Sequence, residues 1–280
     1  MQSDITSALA WLAQQLALPE APASVRFTGQ APDLPGPHRL SQAAALALAA
    51  HGMAAATLWQ QRGGAAQGVE VDMGNAHHSL STGLFQSIDG HSVSIAHGAA
   101  SPVSNFFETA DGRWIHPMGT YPALRDGVLR LLDCANHTDA IADAVRNWRA
   151  FELEDALAAR GLAGAVVRSR EEWLDHPQGQ LLARTPLIRI DKIAEGPVPA
   201  QETVSRPLQN LRVIDFTHVI AGPVLSRTLA EHGAQVLHVG SARHPDPFEF
   251  VLDTGWGKRS AYLDLGRADN LRALDGLLAS

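Results

Sequence analysis

Two basic residues late in the chain lie in a glycine-flanked loop that could bind phosphate. Lys258 and Arg259 follow Gly257 and directly precede a run with the pattern of a β-strand. Two cations placed by flexible glycines suit a diphosphate or a 3′-phosphate. The alternative interpretation is an exposed charged loop that binds nothing, and the loop taken alone favours that alternative.

A second candidate anion site is the turn at 217–223, between a predicted strand and a predicted helix. Turn amides and helix N-termini attract anions, and doubly wound sheets bind ligands at such turns. A dinucleotide fingerprint needs three spaced glycines, whereas this turn holds only Gly222. After the next strand, Arg243 could meet a 2′- or 3′-phosphate, which keeps an NADP-binding oxidoreductase open. It is equally consistent that Gly222 and Gly240 are only turn residues.

Several other catalytic chemistries lack their residues. The adjacent His77 and His78 would lie about 100° apart on a helix and could not both chelate one ion, so no metal site is predicted. Cys134, the only cysteine, excludes an internal disulfide and is expected to be a small buried hydrophobic residue. The sequence has no Gly-x-Ser-x-Gly elbow, so an α/β-hydrolase is not indicated.

Length and composition narrow the class of protein. The 280 residues suffice for about two domains or one large α/β domain. A net charge of −7, from 22 basic and 29 acidic residues, argues against a nucleic-acid-binding surface. The sequence contains no long apolar span and no basic leader before an apolar core, so we expect a cytoplasmic protein that does not bind membranes.

The last part of the sequence has the order of a parallel α/β unit. Pro223 suits the start of a helix and Gly233 suits its end. A strand, a helix and a strand in succession form a βαβ unit with parallel strands. The predicted elements, separated after the second strand by a loop at 240–257, are a strand at 211–216, a helix at 224–232, and strands at 235–239 and 259–264, followed by a helix at 267–278.

The earlier part mixes helices with short strands. Alternation of apolar and acidic residues marks one strand, and Asp111-Gly112 marks a hairpin turn. The predicted elements are a helix at 5–18, a helix at 41–61 capped by Ser41, a strand at 68–73, helical residues at 75–87, a hairpin of 106–109 with 113–116, helices at 121–133, 138–148 and 151–160, a strand at 164–167, and a capping box of Ser169 with Glu172.

The composition changes along the chain predict five segments. They are an N-terminal helix with a proline-rich lead at 1–40, a helix-strand-helix segment at 41–104, a small α+β domain at 105–185, a linker at 186–206, and the start of a parallel α/β domain at 207–280.

The last segment resembles a known family in the order and spacing of its motifs. Residues 213–223, 229–236, 257–260 and 263–265 resemble the opening of the family III CoA-transferases, the CaiB/BaiF (formyl-CoA transferase) group. Residues 41–190 resemble a later part of the same family, through 43–71, 111–115 and 158–178. The two family portions therefore occur in reversed order, as in a permuted or tandem protein.

The resemblance implies a fold and a ligand. The fold would be α/β, with an incomplete Rossmann-like parallel sheet as CoA-binding domain and a smaller α+β domain. CoA or acyl-CoA would be a substrate, with no tightly bound cofactor. Val219, Ala221, Lys258 and Arg259 would contact CoA. Arg243 would contact its adenine side, although the family usually has Lys-Val-Glu or Lys-Ile-Glu where this chain has residues 238–240.

The resemblance also implies a mechanism whose catalytic residue is unknown here. These transferases use an aspartate nucleophile that passes through an anhydride to an aspartyl-CoA thioester. That aspartate lies beyond the family segment with which the sequence ends, so we expect an N-terminal portion of a longer enzyme. Asp246, Asp253 and Asp264 are available carboxylates outside the matching position, and Asp215 is expected to be a structural residue at a strand end.

Three hypotheses follow. The first is an acyl-CoA:carboxylate CoA-transferase acting on small molecules, acyl-CoA and a carboxylic acid, and forming the interlocked homodimer of its family. The second is a non-catalytic CoA-binding or assembly subunit of the same fold. The third is the NADP-binding oxidoreductase.

Overall fold

The structure, a computed structural model, is mixed α/β and divides into two units. It describes residues 2–18, 25–32, 36, 38–93, 101–196, 204–241 and 245–279. Unit 1 comprises Met1–Ser94 together with Ile190–Ser280, and unit 2 comprises Ile95–Arg189. Unit 1 is therefore built from two stretches of sequence that flank unit 2. Among the described residues, no helix is both long enough and apolar enough to cross a membrane.

The elements of the described residues are short apart from α2. The helices are α1 (Gln2–Gln15), α2 (Leu40–Gln61), α3 (Met73–His78), α4 (Pro122–Leu132), α5 (Thr138–Val145), α6 (Ala150–Ala158), α7 (Arg170–Asp175), α8 (Pro177–Arg184), α9 (Ala221–Glu231), α10 (Phe248–Thr254) and α11 (Ala268–Ala279). The strands are β1 (Val25–Thr28), β2 (Val69–Asp72), β3 (Ser87–Ile88), β4 (His91–Ser92), β5 (Phe107–Glu108), β6 (Trp114–Pro117), β7 (Gly164–Val166), β8 (Arg212–Asp215), β9 (Gln235–Gly240) and β10 (Lys258–Tyr262).

The C-terminal part of unit 1 contains a parallel sheet in the order β10-β9-β8. Helix α9 connects β8 to β9, which confirms the predicted βαβ unit. Ala230, Ala234 and Val236 form a small buried cluster between this helix and the sheet. The register aligns Asp215 with His238 and His238 with Ser260 near the carboxyl ends of the three strands.

The N-terminal part of unit 1 packs two helices and a two-stranded parallel sheet around an alanine-rich core. Strand β2 confirms the predicted strand at 68–73, and it pairs with β1. Strand β1 is not predicted from the sequence, because its four residues lie in a proline-rich stretch. The buried residues of this cluster are Ile5, Leu9, Ala44, Ala45, Ala49, Ala50, Met53, Val71 and Ala76.

Side chains of α2 and of Arg62, the residue after it, join the two stretches of unit 1. The Arg62 guanidinium donates to the carbonyl oxygens of Pro207, at 2.8 Å, and Gln209, at 3.1 Å. Nε2 of His51 lies 2.9 Å from Nε2 of His232, which directly follows α9. These contacts connect segments separated by more than a hundred residues.

Unit 2 is an antiparallel sheet with helices around one apolar core. Strands β5, β6 and β7 pair in that order. The hairpin predicted at Asp111-Gly112 is confirmed, with Gly112 at a φ of 70°. Ser169 and Glu172 form the predicted capping box at the start of α7. The buried residues of this core are Val103, Phe107, Ile115, Val128, Leu132, Ile141, Val145, Ala150, Leu153, Leu157 and Val166.

Three local predictions are wrong. Ser41 does not cap α2, because the helix begins at Leu40 and the Ser41 hydroxyl lies 3.0 Å from Nδ1 of His77. The helical stretch at 75–87 is interrupted: α3 gives way to a 3-10 turn over Ser79–Leu84, in which Ser81 has a non-helical φ of −142°. The loop at 240–257 contains helix α10, whose short run is obscured in sequence by the prolines before it.

Candidate functional site

A buried carboxylate organises the carboxyl end of the three-stranded sheet. The Asp215 side chain ends β8 and is 1% exposed. Its Oδ1 accepts hydrogen bonds from the amide, at 2.9 Å, and the hydroxyl of Thr217. Its Oδ2 accepts from the Ser226 hydroxyl on α9 and from the Lys258 ammonium on β10, the latter at 3.1 Å. Asp215 therefore ties the turn, the helix and the far strand together.

These contacts keep Asp215 ionised. Burial opposes the charge, but the hydrogen bonds from Ser226, from Thr217 and from the Lys258 ammonium outweigh it and hold the pKa of the Asp215 carboxyl well below its ordinary value. An ionised carboxylate whose oxygens are already engaged by these donors suits a structural role.

Lys258 and Arg259 are adjacent in sequence but lie on opposite faces of β10. The Lys258 side chain is 2% exposed, and its ammonium donates to Asp215 and, at 2.9 Å, to the carbonyl oxygen of Pro223. Arg259 is exposed and lines an open groove of about 910 Å³ together with Ile214 and Leu237. The structure thus separates the two cations that the sequence placed in one phosphate site.

The turn after β8 has a strained backbone. Val219 has a φ of 69°, in the left-handed region that a β-branched residue adopts at a steric cost. Its amide donates to Oδ1 of Asp246 at 3.2 Å, and Nδ1 of His218 lies 3.1 Å from the same oxygen. Asp246 thereby contacts two consecutive residues of the turn.

The turn leads directly into the N-terminus of α9. Ala221 is the first residue of this helix and is exposed, and Ile220 before it provides no side-chain cap. A Cβ on Gly222 would lie 2.3 Å from Cβ of Thr217, so this position requires glycine because of close packing inside the turn. Close packing of Gly222 against Thr217 therefore fixes the backbone that opens α9, where the N-cap residue Ile220 offers no side-chain acceptor.

A small cavity lies beside the turn at the ends of β9 and β10. Its volume is about 70 Å³, and its lining includes His218, His238, Gly240 and Tyr262. Nδ1 of His238 lies 3.4 Å from Oδ2 of Asp215. Parallel α/β sheets bind ligands beyond the carboxyl ends of their strands, which is where this cavity opens.

The sequence analysis identified only part of this arrangement. Val219 and Ala221 lie in the turn, whereas Arg243 lies outside the described residues. It named Asp246 only as an available carboxylate and missed its contact with the turn, whose one signal is an acidic residue between Pro245 and Pro247. It also missed His238 and Ser226. Within the described ranges, no group of three or more histidine, cysteine or acidic side chains could hold a metal ion.

The three aspartates that the sequence analysis named beside Asp215 also have partners within the chain. Oδ1 of Asp253 lies 3.2 Å from the Arg227 guanidinium, and its Oδ2 accepts from the Thr82 hydroxyl at 2.8 Å. Oδ1 of Asp264 accepts the amide of Gly266 at 3.0 Å. Asp246 contacts the turn, as described above. Each of these carboxylates is therefore engaged by hydrogen bonds or an ion pair within the structure.

Comparisons with known proteins agree on one family. A sequence model described as CoA-transferase family III matches residues 40–206 and 208–280. An "Acyl-CoA transferase" of Gibberella moniliformis is 32% identical over 158 residues, which cover 50% of this chain and 27% of that protein. An "Acetyl-coenzyme A transferase nodX" of Hypoxylon pulicicidum is 28% identical over 218 residues, which cover 71% of this chain and 37% of that protein.

The match with the curated relatives covers only part of their length. This chain spans between about a quarter and two fifths of the length of the two curated relatives. Among solved structures, a hypothetical protein (Rv3272) of Mycobacterium tuberculosis is 20% identical, with a TM-score of 0.44 over 63% of this chain and 55% of that one. An orthorhombic form of the same protein is 17% identical, with a TM-score of 0.44 over 64% of each chain.

Proposed function

The chain belongs to CoA-transferase family III, and from that membership we propose that it acts in moving CoA between an acyl-CoA and a carboxylic acid. It does so as an acyl-CoA:carboxylate CoA-transferase of the CaiB/BaiF type. Two curated relatives named for acyl-CoA or acetyl-CoA transfer support this activity. CoA and acyl-CoA are its substrates, and it needs no tightly bound cofactor.

One observation carries the proposal: the strained turn and the helix start that follow β8. Val219 and Ala221, the residues expected from the family resemblance to contact CoA, stand where the turn meets α9. The first amides of a helix carry partial positive charge and favour an anionic ligand. The parallel order β10-β9-β8 supports a Rossmann-like CoA-binding domain, with the antiparallel unit as the small α+β domain.

The cations take different roles in this proposal. Arg259 is exposed and free to meet a phosphate group of CoA, and Arg243 contacts the adenine side. Lys258 acts from beneath the turn, because its ammonium binds Asp215 and the Pro223 carbonyl oxygen. Removing Lys258 would therefore disturb the CoA site through Asp215 and the start of α9.

The reaction class requires a nucleophilic carboxylate. In the family mechanism, an aspartate attacks the acyl thioester and releases CoA thiolate, which then forms an aspartyl thioester and frees the first acid. The acceptor acid reverses these steps. We assign none of the four aspartates considered above to that role, since Asp215, Asp246, Asp253 and Asp264 have the structural partners described above.

Titration calorimetry with CoA and with NADPH tests the ligand. We expect binding of CoA alone, and a CoA affinity about tenfold weaker in Arg259→Ala, the loss of one charge-assisted contact. Arg272→Ala, on α11, is the matched control and should keep the wild-type affinity. Binding of NADPH in place of CoA would support the oxidoreductase and refute the proposal. An unchanged CoA affinity in Arg259→Ala would refute the role proposed for Arg259.

Trapping of the intermediate tests the chemistry. Incubation with candidate acyl-CoA donors and hydroxylamine should convert an aspartyl thioester into a hydroxamate that intact mass detects. CoA binding without any such adduct would instead support the non-catalytic subunit.

The proposal extends to a cytoplasmic homodimer of the interlocked family type. Exposed strand edges on β8 and β10, the outer strands of the sheet, favour association between copies. Light scattering coupled to size exclusion should give twice the monomer mass of 29.9 kDa, and a monomer at micromolar concentration would contradict it.

A further inference from the structure

We infer that Asp246 is a positioning residue for the CoA site: its carboxylate clamps His218 and Val219 and so fixes the backbone that enters α9. This inference rests on the proposed function, because it takes that backbone to be the CoA-binding turn. Asp246 does not contact CoA itself but acts through Val219.

The clamp is a single oxygen shared by two consecutive residues. Oδ1 of Asp246 accepts the Val219 amide at 3.2 Å and lies 3.1 Å from Nδ1 of His218. The Asp246 side chain is 7% exposed, so water competes little for that oxygen. The residue comes from the loop between β9 and α10, and Pro245 and Pro247 on either side restrict its backbone.

The turn needs such a clamp because its conformation is unfavourable by itself. Val219 holds a φ of 69°, which glycine or asparagine adopts far more readily than a β-branched residue. Such a conformation persists only where surrounding contacts impose it. The described contact to the Val219 amide is the one from Asp246.

The conformation of Val219 has a direct consequence for the ligand site. Ile220 and Ala221 follow it, with Ile220 at a φ of −125° and a ψ of −69° before α9 begins. If Val219 relaxed to a negative φ, the following peptide units would rotate and the first amides of α9 would point elsewhere. The clamp therefore favours the backbone that the proposal assigns to CoA, at the cost of strain held in one residue.

A rescue experiment separates this role from general stability. Asp246→Ala should weaken CoA binding about tenfold by calorimetry, the typical effect of losing a hydrogen bond to a charged group. Adding Val219→Gly to that variant should recover most of the affinity, because glycine adopts the left-handed conformation without a clamp. Asp246→Asn should bind better than Asp246→Ala, since its amide oxygen still accepts the Val219 amide.

Glu249→Ala is the matched control. Glu249 lies three residues further on, and no hydrogen bond or ion pair to its carboxylate is found among the described residues, so CoA affinity should not change. Amide hydrogen exchange followed by NMR adds a readout that needs no ligand: Val219 should be protected in the wild type and in Asp246→Asn, and unprotected in Asp246→Ala.

The outcomes separate the inference from the proposed function. A wild type that binds no CoA overturns the proposed function, and with it the positioning role, even if Val219 is protected. If the wild type binds CoA, two results overturn the inference and leave the proposed function standing. One is an unchanged CoA affinity in Asp246→Ala, and the other is a failure of Val219→Gly to restore the affinity of Asp246→Ala. Equal exchange of the Val219 amide in the wild type and in Asp246→Ala also overturns the inference.

Discussion

The two units bury different kinds of residue. Among the described residues, the buried cluster of unit 2 has eleven members, and Ala150 is the one alanine among them. In the N-terminal cluster of unit 1, five of nine are alanines, and the cluster beneath the three-stranded sheet has three members. The three-stranded sheet has this small apolar cluster beneath it, and its strands, the turn after β8 and α9 are linked by Asp215 and its four partners.

The contrast indicates how each unit is held together. Large aliphatic side chains bury more apolar area than alanine, so unit 2 should derive its stability from packing. The sheet of unit 1 depends more on a charged network, which is costly when one partner is lost. The candidate site lies in the unit with the thinner core, where local opening is easier.

The largest effect is expected from removing the cation, Lys258, from the hydrogen-bond network of Asp215. Lys258→Met should destabilise unit 1 by about 3–5 kcal/mol, because the Asp215 carboxylate stays buried without its cation. Hydrogen exchange measured by mass spectrometry in increasing denaturant would report each unit separately.

Arg259→Met is the control for that change, since it alters the neighbouring exposed cation and should cost less than about 0.5 kcal/mol. The double variant Asp215→Asn with Lys258→Met should recover part of the loss. Equal costs for the two methionine variants would mean that the network does not hold the sheet.

A packing deletion in unit 2 should have the next largest effect. Leu153→Ala removes a side chain from a residue that is 1% exposed and should cost about 2–5 kcal/mol. Leu187→Ala, at a residue 75% exposed, should stay within about 0.5 kcal/mol. The same exchange measurement should show the loss of stability in residues 101–189, and a small cost for Leu153→Ala would remove the distinction between the cores.

The smallest predicted effect is a pH dependence confined to unit 1. Burial and the neighbouring His232 lower the pKa of His51, while Glu231 opposes the shift. The unfolded chain therefore binds more protons below the ordinary histidine pKa of about 6.5, so unit 1 should lose stability as the pH falls through that value.

Denaturant unfolding at pH 7.5 and 5.5 measures this effect. We expect the wild type to lose stability at the lower pH, and His51→Gln to lose less. His91→Gln, at an exposed histidine of the same unit, should keep the wild-type pH dependence. The same pH dependence in His51→Gln and the wild type would exclude the pair as its source.

Local patterns predicted the elements that local forces determine. Pro223 and Gly233, at the ends of a helix between two strand-like runs, were enough for the βαβ unit, and the Ser169–Glu172 spacing was enough for the capping box. Strand β1 was missed because a four-residue strand is stabilised by its partner β2, which lies forty residues away.

The candidate site depends on details finer than such patterns. The sequence started the last strand at Arg259, whereas β10 starts at Lys258. Side chains alternate along a strand, so Lys258 belongs to the Asp215 face and Arg259 to the opposite one. The contacts of Asp246 are also outside the reach of local patterns, since they join residues 27 and 28 positions apart.

The division of unit 1 between two stretches of sequence has a consequence during synthesis. Among the described residues, the buried cluster of unit 2 lies within residues 103–166, so its core can form as soon as that continuous stretch leaves the ribosome. Residues 38–93 emerge before unit 2, yet partners such as Pro207 and His232 are made more than a hundred residues later. The contacts of Arg62 and His51 with the later stretch can therefore form only after unit 2 has been made, whereas the alanine-rich cluster within residues 5–76 can form before it.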